Sequence, residues 1–189
     1  METERLIIRT FEPPDLPHIH RILVQTFGRG TQGEEAQALR EREAWLRCSI
    51  PSQEWLPKLN QPPYGDRAIV LRSTGVLIGA AGYVPLLAPF EQIPELRRGE
   101  TAGGHYTPEV GLFWVIDPAH QRRGYAAEAA RMLIEHAFKE LRLERILAMT
   151  EHDNAASQAV MHKLGMRITC NSRPEPQWMQ VVGVLENPG

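Results

Sequence analysis

The sequence predicts an α/β (α+β) protein built on a single sheet with helices on its faces. Three observations predict it. Val110–Ile116 is a β-branched and aromatic run closed by Asp117-Pro118, which reads as a buried central strand. Ala127, Ala130, Ile134, Ala137 and Leu141 then recur at spacings of three and four, the stripe of a helix lying on a sheet. A second strand, Arg145–Thr150, and a second helix, Asn154–Lys163, follow in the same order.

The remaining elements fit around these. Leu6–Phe11 is a short β-prone run closed by Pro13-Pro14, and residues 15–27 place Leu16, Ile19, Leu23 and Phe27 at helical spacing. A Gly-rich break over 28–33 precedes a charged helical stretch from Glu34 to about Cys48, and Pro51–Gly65 reads as a loop. Trp45 and Trp55 are expected as core anchors or pocket walls. Arg67–Arg72 and Val76–Val84 form a hairpin across Ser73-Thr74-Gly75. The stretch 85–108 is rich in Pro, Gly and charge, and reads either as a binding loop or lid or as plain surface chain. On the central helix Glu128, Glu135, Lys139 and Arg142 form the wet side. Asn154 is the N-cap of the second helix, Gly165 stands where a left-handed cap belongs, and Gln177–Leu185 supplies a last strand.

A chain of 189 residues, 42% hydrophobic and 23% charged, suits one domain over 1–189. Its net charge of -2 provides no basic field, so neither nucleic acid nor an anionic membrane is expected as a partner. No apolar stretch has the length of a signal core or a membrane span, and a cytoplasmic protein is expected. Cys48 and Cys170 have no metal-ligand spacing and read as reduced, small apolar fillers. His18 and His20 lack nearby partners, so no metal site is expected.

The chemistry concentrates at Gln121-Arg122-Arg123-Gly124-Tyr125-Ala126, between the central strand and its helix. A helix N-terminus offers unpaired N–H groups and partial positive charge, Gly124 allows a phosphate to approach the backbone, and Arg122 and Arg123 add charge. A diphosphate-bearing cofactor is the natural ligand; a solvated basic turn is the bland alternative. This segment carries neither Gly-x-Gly-x-x-Gly nor Gly-Lys-Ser/Thr, which removes the dinucleotide and P-loop readings for it.

The run from Trp114 to Ala129, with Gln121, Gly124 and Ala126 in a Q/R-x-x-G-x-G/A pattern, resembles the acetyl-CoA signature of the GCN5-related N-acetyltransferases. Asn154–Met166 is similar to that family's second block. Glu4–Arg9 and the start of the central helix most resemble the ribosomal-protein-alanine acetyltransferase branch. The resemblance implies a mixed, mostly antiparallel sheet with helices on both faces. It implies acetyl-CoA as cosubstrate, with Trp114, Val115 and Ile116 along the pantetheine arm on a strand that splays from its neighbour. The amides of Arg122, Arg123, Gly124, Tyr125 and Ala126, with Gln121, would hold the pyrophosphate, and Asn154 would touch the cofactor.

The resemblance also implies that an amine, a small molecule or a protein N-terminus, attacks the thioester directly in a ternary complex, with the Trp114 N–H on the thioester carbonyl. Ser157 matches the hydroxyl that protonates the leaving thiolate; its alternative is a helix-start hydroxyl bonding local backbone. Glu109 is the leading base, although strand alternation places it with Gly111 and Phe113, and His105 and Tyr106 are alternatives. A non-catalytic acyl-CoA-binding sensor is the competing class. Polycationic acceptors are disfavoured, because Glu91, Glu95 and Glu100 are interleaved with Arg97 and Arg98. Monomer and homodimer both stay open.

Overall fold

The computed structural model describes residues 1–28, 35–97, 105–173 and 175–189. The expected Gly-rich break is therefore described only at Gly28, and Arg98 and Glu100 of the expected lid lie outside the described residues. Seven strands are hydrogen-bonded in the order β1-β2-β3-β4-β5-β7-β6: β1 Leu6–Arg9, β2 Gly65–Leu71, β3 Leu77–Ala88, β4 Thr107–Ile116, β5 Arg145–Thr150, β6 Arg167–Cys170 and β7 Val181–Glu186. The helices are α1 Leu16–Phe27, α2 Glu35–Lys58, α3 Tyr125–Lys139 and α4 Ala155–Lys163. β4 and β5 run parallel, in register at Gly111 with Leu147, because the chain between them crosses over through α3. No helix among the described residues is long and apolar enough to cross a membrane.

The chain forms two compact units, Met1–Tyr83 with Phe113–Leu133, and Val84–Leu112 with Ile134–Gly189. In the first, β1 and β2 pair antiparallel from Leu6 with Leu71 to Arg9 with Ala68, and β2 pairs β3 with a bulge at Ile69/Val70. The β-alternation sends Ala68, Val70, Ala80 and Val115 to one face. There they meet Ile19, Ile22 and Leu23 of α1 and Leu46 of α2. Tyr83 has the opposite parity from Ala80, and its hydroxyl donates to the Leu133 carbonyl of α3 at 2.6 Å. Helices therefore cover both faces of this unit. Backbones crowd at Gly79, where an added Cβ would lie 2.1 Å from the Val115 carbonyl oxygen.

α2 runs through Pro51 and Pro57 to Lys58, where the sequence suggested a loop. Each proline removes one helical N–H, but the turn is held otherwise. The Ser52 hydroxyl donates to the Cys48 carbonyl at 2.7 Å, and the Gln53 amide donates to the Tyr64 and Gly65 carbonyls at the head of β2. Trp55 is exposed with Lys58 over its ring, so it is neither core nor pocket wall; Trp45 packs edge-on against Phe11. Cys48 and Cys170 are exposed rather than buried filler.

In the second unit the stretch expected to be irregular is instead regular in part as far as it is described before residue 98, and four of its residues are core. β3 continues to Ala88, two short 3-10 turns follow, and Ala88, Phe90, Ile93 and Leu96 bury against Leu147, Val182 and neighbours. The prolines there cap turns whose apolar residues point inward, so they punctuate the core. β7 pairs β5 from Arg145 with Glu186 to Thr150 with Val181, and the short β6, which the sequence did not announce, pairs its other side.

Candidate active site

β4 ends at Asp117, 3% exposed, whose carboxylate accepts the Ala119 N–H at 2.9 Å and the Arg21 guanidinium at 2.6 Å. Burial pushes this carboxyl up, but the hydrogen bonds from Arg21 and Ala119 and the Arg21 charge outweigh burial and hold it below the usual range. The chain is thereby fixed as it enters the loop. Gln121, expected on the cofactor, donates its side-chain amide to the Ile116 carbonyl at 3.0 Å, closing the loop onto the strand.

Two residues of the loop have left-handed backbone, Arg122 at φ 60° and Gly124 at φ 85°. Glycine adopts that conformation freely; at Arg122 it stores about 1–2 kcal/mol of strain, of the kind retained where a loop must present its backbone. The result is a run of free donors. Among the described residues, the amides from Arg122 to Ala126 have no acceptor, while the Gly124 carbonyl already accepts Glu128 N–H at 3.0 Å in the first turn of α3.

Arg5 holds this loop from the side, and sequence reasoning missed it. Its guanidinium donates to the Arg123 carbonyl at 3.1 Å and to the Glu128 carboxylate at 2.7 Å, and lies 4.6 Å from the Tyr125 ring centre. Thr3 and the Arg5 N–H also donate to Glu128. Glu128 thus leaves the wet face assigned to it. Burial raises its carboxyl, and bonds from Thr3 and Arg5 more than reverse that.

Within the first unit the structure brings together Trp114, Val115, Ile116 and the whole loop from Gln121 to Ala126. Glu109, Asn154 and Ser157 belong to the second unit. There the Asn154 side chain accepts the Ser157 N–H at 3.0 Å, which makes it the helix cap. The partly buried Ser157 hydroxyl makes no hydrogen bond among the described residues, so the local-backbone role is not observed. Glu109 is held in two-point contact by Arg145, through Nε at 3.0 Å and through Nη2. Its oxygens are engaged, and use as a base requires opening that pair. Tyr106 is 64% exposed and His105 is exposed.

A family model described as an acetyltransferase (GNAT) domain matches residues 5–167. The chain belongs to the GNAT acetyltransferase family. The GNAT match runs through both units and includes Arg5 and every site residue expected from the sequence. The uncharacterized N-acetyltransferase YnaD of Bacillus subtilis (strain 168) is 47% identical over 64 residues, 34% of this chain and 36% of its own. The matched stretches are likewise only 42% and 34% of two further B. subtilis relatives, the uncharacterized N-acetyltransferase YjdG and the probable N-acetyltransferase YjcK. The acetyltransferase from Agrobacterium tumefaciens str. C58 has the same fold, with a TM-score of 0.68 at 23% identity over 98% of this chain and 93% of its own. RimL, a ribosomal L7/L12 alpha-N-protein acetyltransferase solved with coenzyme A, shares the GNAT fold at TM-score 0.59 and 12% identity, covering 96% and 93% of the two chains.

Proposed function

We propose that the protein is an acetyl-CoA-dependent N-acetyltransferase acting on a primary amine. The observation that carries this reading is the run of unaccepted amides from Arg122 to Ala126. Five N–H groups on a strained turn at a helix N-terminus, flanked by two arginines, suit a pyrophosphate, and the family match supplies CoA as its bearer.

Acetyl-CoA when bound would supply the activated acetyl thioester; the chain's own residues do the rest. Loop amides and Arg122 and Arg123 bind the phosphates, and the Trp114–Ile116 backbone offers polar partners to the pantetheine amides. In the transfer the amine nitrogen bonds the acetyl carbon and the carbon–sulfur bond breaks. Ser157 passes its proton to the departing sulfur and is reprotonated, through solvent, by the proton that the new amide nitrogen sheds. Asn154 fixes the helix start that carries Ser157. Glu109 serves as base only when Arg145 releases it.

Calorimetric titration with acetyl-CoA and CoA tests the reading. Both are expected to bind in the micromolar range and to compete, because the loop recognises the part they share. Absence of binding of either at millimolar concentration overturns it. Thiol release with amines then separates the enzyme from a CoA-binding sensor, which binds without turnover.

A further inference from the structure

The β2 stripe that faces α1 and α2 reads Asp66, Ala68, Val70. Two of these are core residues and the third is a carboxylate. Asp66 is partly buried, and among the described residues its side chain accepts no hydrogen bond. It faces a cavity of about 510 Å³ within the first unit. That volume falls in the range of small-molecule sites, roughly 300–1,000 Å³.

The cavity wall is apolar along Leu23, Val24 and Phe27 of α1, Trp45 of α2 and Phe113 of β4. Phe27, 55% exposed, stands at the end of α1 on this wall. Opposite Asp66 in the ladder is Gly82, so the directly paired position carries no side chain. Phe113 is also the residue before Trp114, so the cavity wall lies one position along β4 from the N–H assigned to the thioester, while the Trp114 side chain has the opposite parity.

We propose that this cavity is the acceptor pocket, that it takes a small primary amine with an apolar or aromatic body, and that Asp66 receives the ammonium. The inference rests on the acetyltransferase reading above. An ammonium supplies the hydrogen bonds that the Asp66 carboxylate lacks, while Trp45, Phe113 and the α1 side chains desolvate the body of the ligand. A polyamine fits poorly, because it lacks the apolar body that the wall of Leu23, Val24, Phe27, Trp45 and Phe113 would desolvate.

Asp66 also suits the proton that must leave before attack. The ammonium gives that proton to the Asp66 carboxylate, the neutral amine forms the carbon–nitrogen bond, and Asp66 later loses the proton to solvent. Burial pushes its carboxyl up to about 6, against the opposing charges of Arg42 and Arg67. The other ionisable groups on the cavity wall are His20 from α1 and Glu41 from α2.

The test is thiol release by the full chain with acetyl-CoA and four acceptors: 2-phenylethylamine, hexylamine, spermidine and an alanine-initiated hexapeptide. The first two are expected to exceed the others about tenfold in kcat/KM. Asp66→Asn should lower kcat/KM for 2-phenylethylamine about a hundredfold, remove the acidic limb near pH 6, and leave the Kd of CoA unchanged. Should Asp66→Asn not fold, wild-type protein saturated with CoA is titrated with 2-phenylethylamine and with 2-phenylethanol, and the amine should bind at least about tenfold tighter.

Preference for spermidine or the peptide, retained turnover in Asp66→Asn, or equal binding of amine and alcohol overturns the pocket assignment and leaves the family reading intact. Failure to bind acetyl-CoA at all removes both. Binding of acetyl-CoA without turnover of any amine overturns the pocket assignment together with the enzyme reading.

Discussion

Gly124 and Gly28 both have left-handed backbone, at φ 85° and 67°, but only Gly124 lies in the candidate phosphate loop. A valine at either position meets the same backbone strain, about 1–2 kcal/mol. Gly124→Val is therefore expected to lower the melting temperature about as much as Gly28→Val and, unlike it, to weaken CoA binding at least tenfold by calorimetry. Ser157 and Asn154 separate in the same way. The cap at Asn154 predicts that Asn154→Ala costs about 1 kcal/mol of stability. Ser157→Ala, which removes a hydroxyl with no partner among the described residues, should leave melting unchanged while kcat falls about a hundredfold. Unchanged kcat in Ser157→Ala removes it from the mechanism. Asn154 was legible as a cap because the contact is local, three residues from its amide, and Gly124 was legible as a helix-entry glycine, though its positive φ was not. Asp66 was not, since its place beside Trp45 and Phe113 depends on the β2–β3 register and on where α1 and α2 lie.

At the scale of elements, the first strand and the loop before α3 behave as one unit through Arg5. The Arg5–Glu128 pair is exposed on the arginine side, so its contribution to stability is at most about 1 kcal/mol. Its effect on the loop is larger in proportion. Arg5→Ala is expected to raise the Kd of CoA several-fold with a melting shift of a few degrees at most, measured on one preparation by calorimetry and thermal scanning; an unchanged Kd would make the contact purely structural. The sequence showed both elements without showing that they touch, because residues 118 apart carry no common pattern. Patterning also misplaced the end of α2 and the stretch after Val84. In both cases prolines were read as breaks, whereas Gln53 tethers the helix end and Phe90, Ile93 and Leu96 fill a core.

Four carboxyl groups among the described residues divide into two classes with opposite pH dependence. For Asp15, burial raises the carboxyl but the hydrogen bonds from Arg9 and Glu12 lower it further; Asp117 and Glu128 are likewise lowered on balance. Their stabilisation is present above the unfolded value near 4 and is lost as pH falls through the folded values. Asp66 is raised to about 6, so the folded state binds more protons than the unfolded one between about pH 4 and 6. Stability from this group declines as pH rises through that window. A melting-temperature profile should therefore rise modestly from pH 7 to about 5 and fall steeply below about 4, and Asp66→Asn should remove only the first limb. A profile with no rise between pH 7 and 5 contradicts the buried carboxyl.

The Arg5 bridge also has a reciprocal side. A contact through which the first strand steadies the phosphate loop must return the same free energy, so a ligand that orders the loop protects the strand. Amide hydrogens of Leu6 to Arg9 would then exchange more slowly when CoA is bound, although none of them touches it. Anything that grips the strand, a binding protein or an antibody fragment, would in turn act as an effector of cofactor affinity.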